Sequence, residues 1–152
     1  MFFKKKEKVA PKPLLIKENI KVGCPAADQE TVIRSIGQML VDSGYVNAPY
    51  IDAMLAREQS FSTYMGCDLA IPHGVAEGKK EIKASGIAVM NFAEPVTWGE
   101  GTVRLVVAIA ALGESHLDIL SSISEKIMDE SSAAALLDGD VDAVYNALVE
   151  KE

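Results

Sequence analysis

Two apolar runs, residues 86–92 and 103–111, restrict this chain more than any other feature in it. Leu105-Val106-Val107-Ala108-Ile109-Ala110-Ala111 contains no polar position at all. A strand with one wet face alternates apolar and polar residues, so a strand apolar at every step has both faces covered and lies at the centre of a layered sheet. Both runs fall well short of the roughly 18 residues that a membrane-spanning helix needs. The connection between them, residues 94–101, holds Pro95, Gly99 and Gly101 and reads as a turn-rich joint.

The covering layers must come from helices, and helical spacing is present on both sides of the pair. Residues 14–22 are apolar and β-branched enough for a short first strand. Asp28 then offers an N-cap, and Val32, Ile33, Ile36, Met39 and Leu40 follow at helical spacing until Gly44 stops the run. Asn47 and Pro49 start a second helix, with Ile51, Met54 and Leu55 on one face through about Arg57. Tyr64-Met65-Gly66 and Leu69-Ala70-Ile71 are short extended pieces that lead into Pro72-His73-Gly74. Beyond the second apolar run, Ser115 can cap a helix from His116, with Leu117, Leu120, Ile123 and Ile127 on one face. Two more short helices fit residues 131–137 and 141–149, parted by Asp138-Gly139-Asp140. Strands interleaved with helices predict one layered α/β domain.

Charge and cysteine content narrow the function. The 152 residues carry −7 overall, yet residues 1–13 hold five lysines against Glu7 alone, which is +4, so residues 14–152 carry −11. So acidic a body is a poor partner for nucleic acid and suits a basic protein, although net negative charge also serves solubility alone. The basic segment 1–13, with Pro11 and Pro13, reads as a flexible, solvated tail. Its Met1-Phe2-Phe3-Lys4-Lys5-Lys6 opening lacks the apolar stretch of a signal peptide, so the chain is expected to be soluble and cytoplasmic. Cys24 and Cys67 are too few and too far apart for a disulfide framework or a CxxC zinc site.

Both histidines sit where the backbone is special. His73 lies between Pro72, which fixes φ, and Gly74, which permits close approach to the main chain, at the end of an apolar segment. His116 falls at a helix start, where unpaired N–H groups favour anions such as phosphate. A neutral imidazole is a nucleophile near neutral pH. The plainer alternative is a hydrogen-bonded surface histidine at a strand end. A zinc site from His73, His116 and Cys67 shows no ligand spacing, and a thiolate at Cys67 is disfavoured by neighbouring Asp68. Trp98 and Met65 read as core or rim packing, and no GxGxxG, P-loop or HExxH occurs.

The stretch from Glu58 through Met65-Gly66-Cys67-Asp68-Leu69-Ala70-Ile71-Pro72-His73-Gly74 resembles the active-site signature of the mannitol/fructose class of enzyme IIA. These are phosphocarrier domains of the phosphoenolpyruvate-dependent sugar phosphotransferase system. The resemblance extends over about residues 14–152, taking in Val96-Thr97-Trp98-Gly99 and Glu114-Ser115-His116-Leu117. Ala53-Met54-Leu55-Ala56-Arg57-Glu58 and Val75-Ala76-Glu77-Gly78-Lys79 are most similar to the mannitol branch. The lysine-rich start lies outside the family pattern.

This resemblance implies an α/β sandwich around a central mixed sheet flanked by helices. It implies a phosphohistidine at His73, a second active-site histidine at His116 and the mannitol-branch arginine at Arg57. The donor is HPr and the acceptor a cysteine of an enzyme IIB domain, which feeds a membrane transporter for a sugar or hexitol, mannitol in the branch most resembled. No cofactor or metal is implied, because Arg57, His116 and backbone N–H groups could hold the phosphoryl oxygens. A fructose-specific component, a regulatory phospho-switch of the same fold and a metal or thiol enzyme are the alternatives. An acidic body steered toward basic HPr should transfer phosphate more slowly as salt screens the charges, and deleting residues 1–13 should leave transfer intact. Stopped-flow transfer rates across a salt series check both.

Overall fold

The computed structural model describes residues 12–112 and 115–149, the side chains of residues 115–117 and 120 excepted. Five strands form one mixed sheet. They are β1 (Ile20–Cys24), β2 (Tyr64–Gly66), β3 (Leu69–Ala70), β4 (Gly86–Trp98) and β5 (Gly101–Ala110), in the spatial order β1-β4-β5-β3-β2. The pairs β1–β4 and β3–β5 are parallel, whereas β4–β5 and β2–β3 are antiparallel. The two apolar runs are thus neighbours at the sheet's centre.

Their successive side chains divide between two cores. Ala88, Met90 and Phe92 of β4, with Val106, Ala108 and Ala110 of β5, face α1 (Gln29–Asp42) and α2 (Pro49–Ser60). Ile87 and Val89, with Leu105, Val107 and Ile109, face α3 (Ser115–Met128), α4 (Glu130–Asp138) and α5 (Val141–Val149). Double coverage explains why residues 105–111 carry no polar alternate, and why Asn91, the polar residue within 86–92, is buried and hydrogen-bonded rather than facing water. The first layer is seated by Val32, Ile33, Ile36 and Leu40 of α1, all essentially inaccessible, and the second by Ile119, Ile123, Leu136 and Val144. Among the described residues, no helix is long and apolar enough to cross a membrane.

Local signals act as their chemistry requires. The Asp28 carboxylate accepts the Thr31 N–H at 2.8 Å and caps α1, and Pro49 occupies the first turn of α2. Several expected boundaries are displaced. The first strand starts at Ile20 rather than residue 14, because Lys17–Asn19 turn as a 3₁₀ helix; even so, the Leu14 carbonyl accepts the Ile87 N–H at 2.9 Å. Helix α2 runs past Arg57 to Ser60. Strand β4 continues to Trp98, so residues 94–98 are strand, and the connection shrinks to Gly99-Glu100, with Gly99 at φ +60°. Pro95 sits in the register break between Asn91 and Val96, where its missing N–H removes no ladder bond.

Residues 1–11 of the basic segment lie outside the described residues. Lys12 donates to the Ser43 carbonyl at 3.0 Å and lies 4.7 Å from the centre of the Tyr45 ring, while the buried Tyr45 hydroxyl donates to the Pro13 carbonyl at 2.6 Å. A truncation that spares these contacts therefore ends at residue 11.

Asn91 joins the layers where β4 breaks register. Its carbonyl oxygen accepts the Gly23 N–H at 2.7 Å, and its amide donates to the carbonyls of Leu136 and Gly139 at 3.0 and 3.3 Å. Asn91→Ala strands these groups and should cost about 1–3 kcal/mol, read as a lower urea midpoint at unchanged slope.

Candidate functional site

The site is assembled where the parallel strands β3 and β5 end, the position at which open α/β sheets leave a crevice for ligands. After β3 the chain continues the parallel direction briefly: the Ile109 N–H donates to the Pro72 carbonyl at 2.9 Å, and His73 bridges Ile109. His73 is half-buried and lines a cleft of about 240 Å³ together with Arg57, Tyr50, Lys79 and residues 74–76.

One hydrogen bond determines the chemistry of His73. Its Nδ1 lies 2.9 Å from the Ile71 carbonyl oxygen. A carbonyl can only accept, so Nδ1 carries the proton and the neutral ring keeps its nucleophilic lone pair on Nε2.

Helix α2 holds this loop from the other side. Tyr50, Ala53 and Arg57 recur at three- and four-residue intervals and so share one face of the helix. The Tyr50 hydroxyl donates to the Ile109 carbonyl at 2.9 Å and accepts the Gly74 N–H at 2.8 Å, tying the loop to both β5 and α2. A β-carbon at Gly74 would stand 2.6 Å from the Tyr50 ring, and one at Gly78 would stand 2.6 Å from the Ala53 side chain. Both glycines are present because helix and loop touch backbone to side chain. The Ala53 carbonyl accepts the Val75 N–H at 3.2 Å and closes the contact.

Arg57, in the last turn of α2, donates through Nη1 to the Phe61 carbonyl and stacks 5.6 Å from the Phe61 ring centre. That bond occupies one of a guanidinium's five N–H donors. The structure thus brings two of the expected residues, His73 and Arg57, into one cleft. His116 is the second residue of α3, and Ala111, four residues before the helix begins, lines the cleft; the His116 side chain lies outside the described residues. The helix starts at Ser115, one residue earlier than expected. Cys67 is exposed in the β2–β3 turn at φ +54° and is not part of the cleft lining, which leaves the thiol and zinc readings without a site there.

Sequence reasoning missed three residues. Lys79 reaches the cleft through the 3₁₀ turn Ala76–Glu81, and no spacing rule marks it. Tyr50 was not among the residues that the helical spacing of α2 singled out. Glu58 belonged to the quoted signature without a role, and its carboxylate accepts the Thr63 N–H and hydroxyl, both at 2.7 Å, and the Trp98 indole N–H at 2.8 Å.

A half-buried imidazole of defined tautomer beside two cations suits an anionic group that must arrive and leave. Comparison with known proteins identifies the class. Residues 13–151 match the model of the family described as phosphoenolpyruvate-dependent sugar phosphotransferase system, EIIA 2. The chain belongs to that family and is a phosphocarrier component of that system. It is 44% identical over 124 residues to the mannitol-specific phosphotransferase enzyme IIA component of Halalkalibacterium halodurans, covering 82% of this chain and 86% of that one. To the component of the same description from Bacillus subtilis it is 41% identical over 138 residues, covering 88% and 96%. The fold matches that of enzyme IIAMTL from Escherichia coli in its complex with phosphorylated enzyme IIBMTL, with a TM-score of 0.81 at 36% identity, covering 88% and 96%. The expected mixed sheet flanked by helices is the fold they share.

Burial pushes the Tyr50 phenol up, the Gly74 N–H working weakly against it. Folding therefore favours the neutral phenol, a contribution fully present below the unfolded value of about 10 and lost as pH rises past it. Tyr50→Phe should cost about 1–3 kcal/mol at neutral pH by stranding the Gly74 N–H and Ile109 carbonyl. The deficit should narrow in alkali, as urea titrations on both sides of pH 10 would show.

Proposed function

We propose that His73 is the residue that carries the phosphoryl group, attacking through Nε2, with Arg57 and His116 holding the phosphoryl oxygens. The observation that carries this reading is the Nδ1–H bond to the Ile71 carbonyl in a cleft that Arg57 and Lys79 also line. In the first step the N–P bond of phosphorylated HPr breaks as the Nε2–P bond forms. In the second, Nε2–P breaks as a cysteine sulfur of enzyme IIB takes the group. Such a transfer asks for in-line positioning and for cations on the three equatorial oxygens, which an arginine fork and a lysine can supply without a metal.

The partner of Nδ1 suits a reversible relay. Phosphorylation at Nε2 draws positive charge onto the ring, and a neutral carbonyl stabilises the Nδ1–H moderately. A carboxylate there would favour the protonated ring at rest and over-stabilise the phosphorylated one. Mannitol is the substrate of the pathway this chain serves, by its likeness to mannitol-specific components at 44% and 41% identity. The division of labour is a cytoplasmic phosphocarrier unit over residues 14–152 preceded by the basic segment 1–13, with HPr as donor and enzyme IIB as acceptor.

Incubation with phosphoenolpyruvate, enzyme I and HPr should add one acid-labile, base-stable phosphate, and His73→Ala should abolish it with the fold intact. Arg57→Gln removes charge and fork together and should slow transfer by about 10²–10³, the loss typical of one strong donor in such a site. His116→Ala should accept phosphate slowly and release it more slowly still. Undiminished labelling of the His73 variant overturns the assignment, and normal transfer by either other variant removes that residue from it. Sugar phosphorylation with an enzyme IIB–IIC membrane fraction, run on mannitol and fructose, tests the substrate.

A further inference from the structure

We infer that Glu58, which touches neither the cleft nor the reacting atoms, is a positioning residue that sets the tautomer of His73 through an unbroken chain of hydrogen bonds; the inference rests on the reading of His73 as the nucleophile. The chain begins in the core. The wholly buried Trp98 donates its indole N–H to Glu58 Oε2 at 2.8 Å, and the same oxygen accepts the Thr63 N–H at 2.7 Å. Glu58 Oε1 accepts the hydroxyl of Thr63, itself 3% exposed, at 2.7 Å. The Thr63 carbonyl accepts the Ile71 N–H at 3.1 Å, and the Ile71 carbonyl accepts the His73 Nδ1–H at 2.9 Å.

Each link restricts the next. A carboxylate that accepts three short bonds holds the backbone N–H and the side-chain hydroxyl of residue 63, and charge-assisted bonds of this kind are about twice as strong as neutral ones. Thr63 can present its carbonyl to Ile71 only in that orientation. The peptide plane following Ile71 then aims the oxygen that selects Nδ1 for the proton. Pairing of β2 with β3 is irregular and short, with a register shift between Tyr64 and Gly66, so the ladder itself pins this segment weakly. The side-chain clamp supplies the missing restraint. Glu58 also follows Arg57 directly, so the same clamp seats the end of α2 from which the guanidinium projects.

The test reads the ring nitrogens and the transfer rate separately. In the unphosphorylated protein, ¹⁵N spectra of the two histidine rings are resolved by comparison with His116→Ala. Wild type should show His73 with Nδ1 protonated and Nε2 bare. Glu58→Ala should show a mixture of tautomers. Its kcat for transfer from HPr should fall at least about tenfold with KM nearly unchanged, within the roughly 10²-fold that small misplacements of reacting groups cost. Glu58→Gln should restore both readouts, because its amide oxygen can take the Trp98 and Thr63 N–H groups while its NH₂ donates to the Thr63 hydroxyl. Should Glu58→Ala not fold, Thr63→Val breaks one arm of the clamp and must move ring shifts and kcat in the same direction. A wild-type tautomer in the altered protein, or a wild-type kcat, overturns the proposal. The ring spectra need no phosphate, so a wrong assignment of the phosphorylated residue would appear only in the labelling of His73→Ala.

Discussion

Everything in this molecule depends on covering both faces of the β4–β5 hairpin. Its strands pair from Gly86↔Ala110 to Trp98↔Gly101 and bury every residue of 86–92 and 105–110, Val89, Leu105, Val106 and Val107 completely. Burying a residue of this size stabilises by roughly 1.5–3 kcal/mol, so a bare face would forfeit more than a domain's whole margin. Two helical layers are therefore obligatory, and the short strands β1 and β3 add parallel to the hairpin's flanks. The parallel addition of β3 creates the crevice: the chain leaves the sheet at Pro72 and must turn past the end of β5.

The site is a consequence of how that exit is tied down. Tyr50, Gly74 and Gly78 let α2 pack against the loop with no spacer, and the buried hydroxyl satisfies polar groups on both sides. Preorganisation of this kind lowers what must be rearranged when a phosphoryl group arrives. The flexible contribution comes from side chains at the rim, Arg57 and Lys79, whose charges can follow the oxygens. The proposed nucleophile, held in place by its loop, with cations at the rim, would suit a relay that must serve a donor and an acceptor in turn.

Elements driven by local chemistry were legible without the fold. Asp28 caps, Pro49 initiates and Gly44, at φ +85°, terminates for reasons contained in a few residues. Where contacts are distant, local reading slipped. Pro95 and Gly99 together look like a loop, yet Val96 and Trp98 are buried against α1 and α2 and draw the strand onward. Residues 14–19 look like a strand, yet after the Leu14 carbonyl bonds the Ile87 N–H of β4 the chain turns as a 3₁₀ helix over Lys17–Asn19.

His73 stood out locally as a histidine between proline and glycine at the end of an apolar segment, whereas Arg57 was marked only by the family resemblance. The sequence alone thus determined the layered architecture, since residues 105–111, apolar at every step, need both faces covered, and the family signature singled out one imidazole of the two. Which nitrogen of that ring is nucleophilic could not be read from it. Tautomer, tilt and neighbours depend on the Ile71 carbonyl, on Thr63 and Glu58 ten and fifteen residues before the histidine, and on Trp98 from another strand. Tyr50 and Lys79 likewise become site residues only when α2 and the 3₁₀ turn close over the loop. Hydrogen-bond direction is a property of positions in space, and only packing brings those positions together.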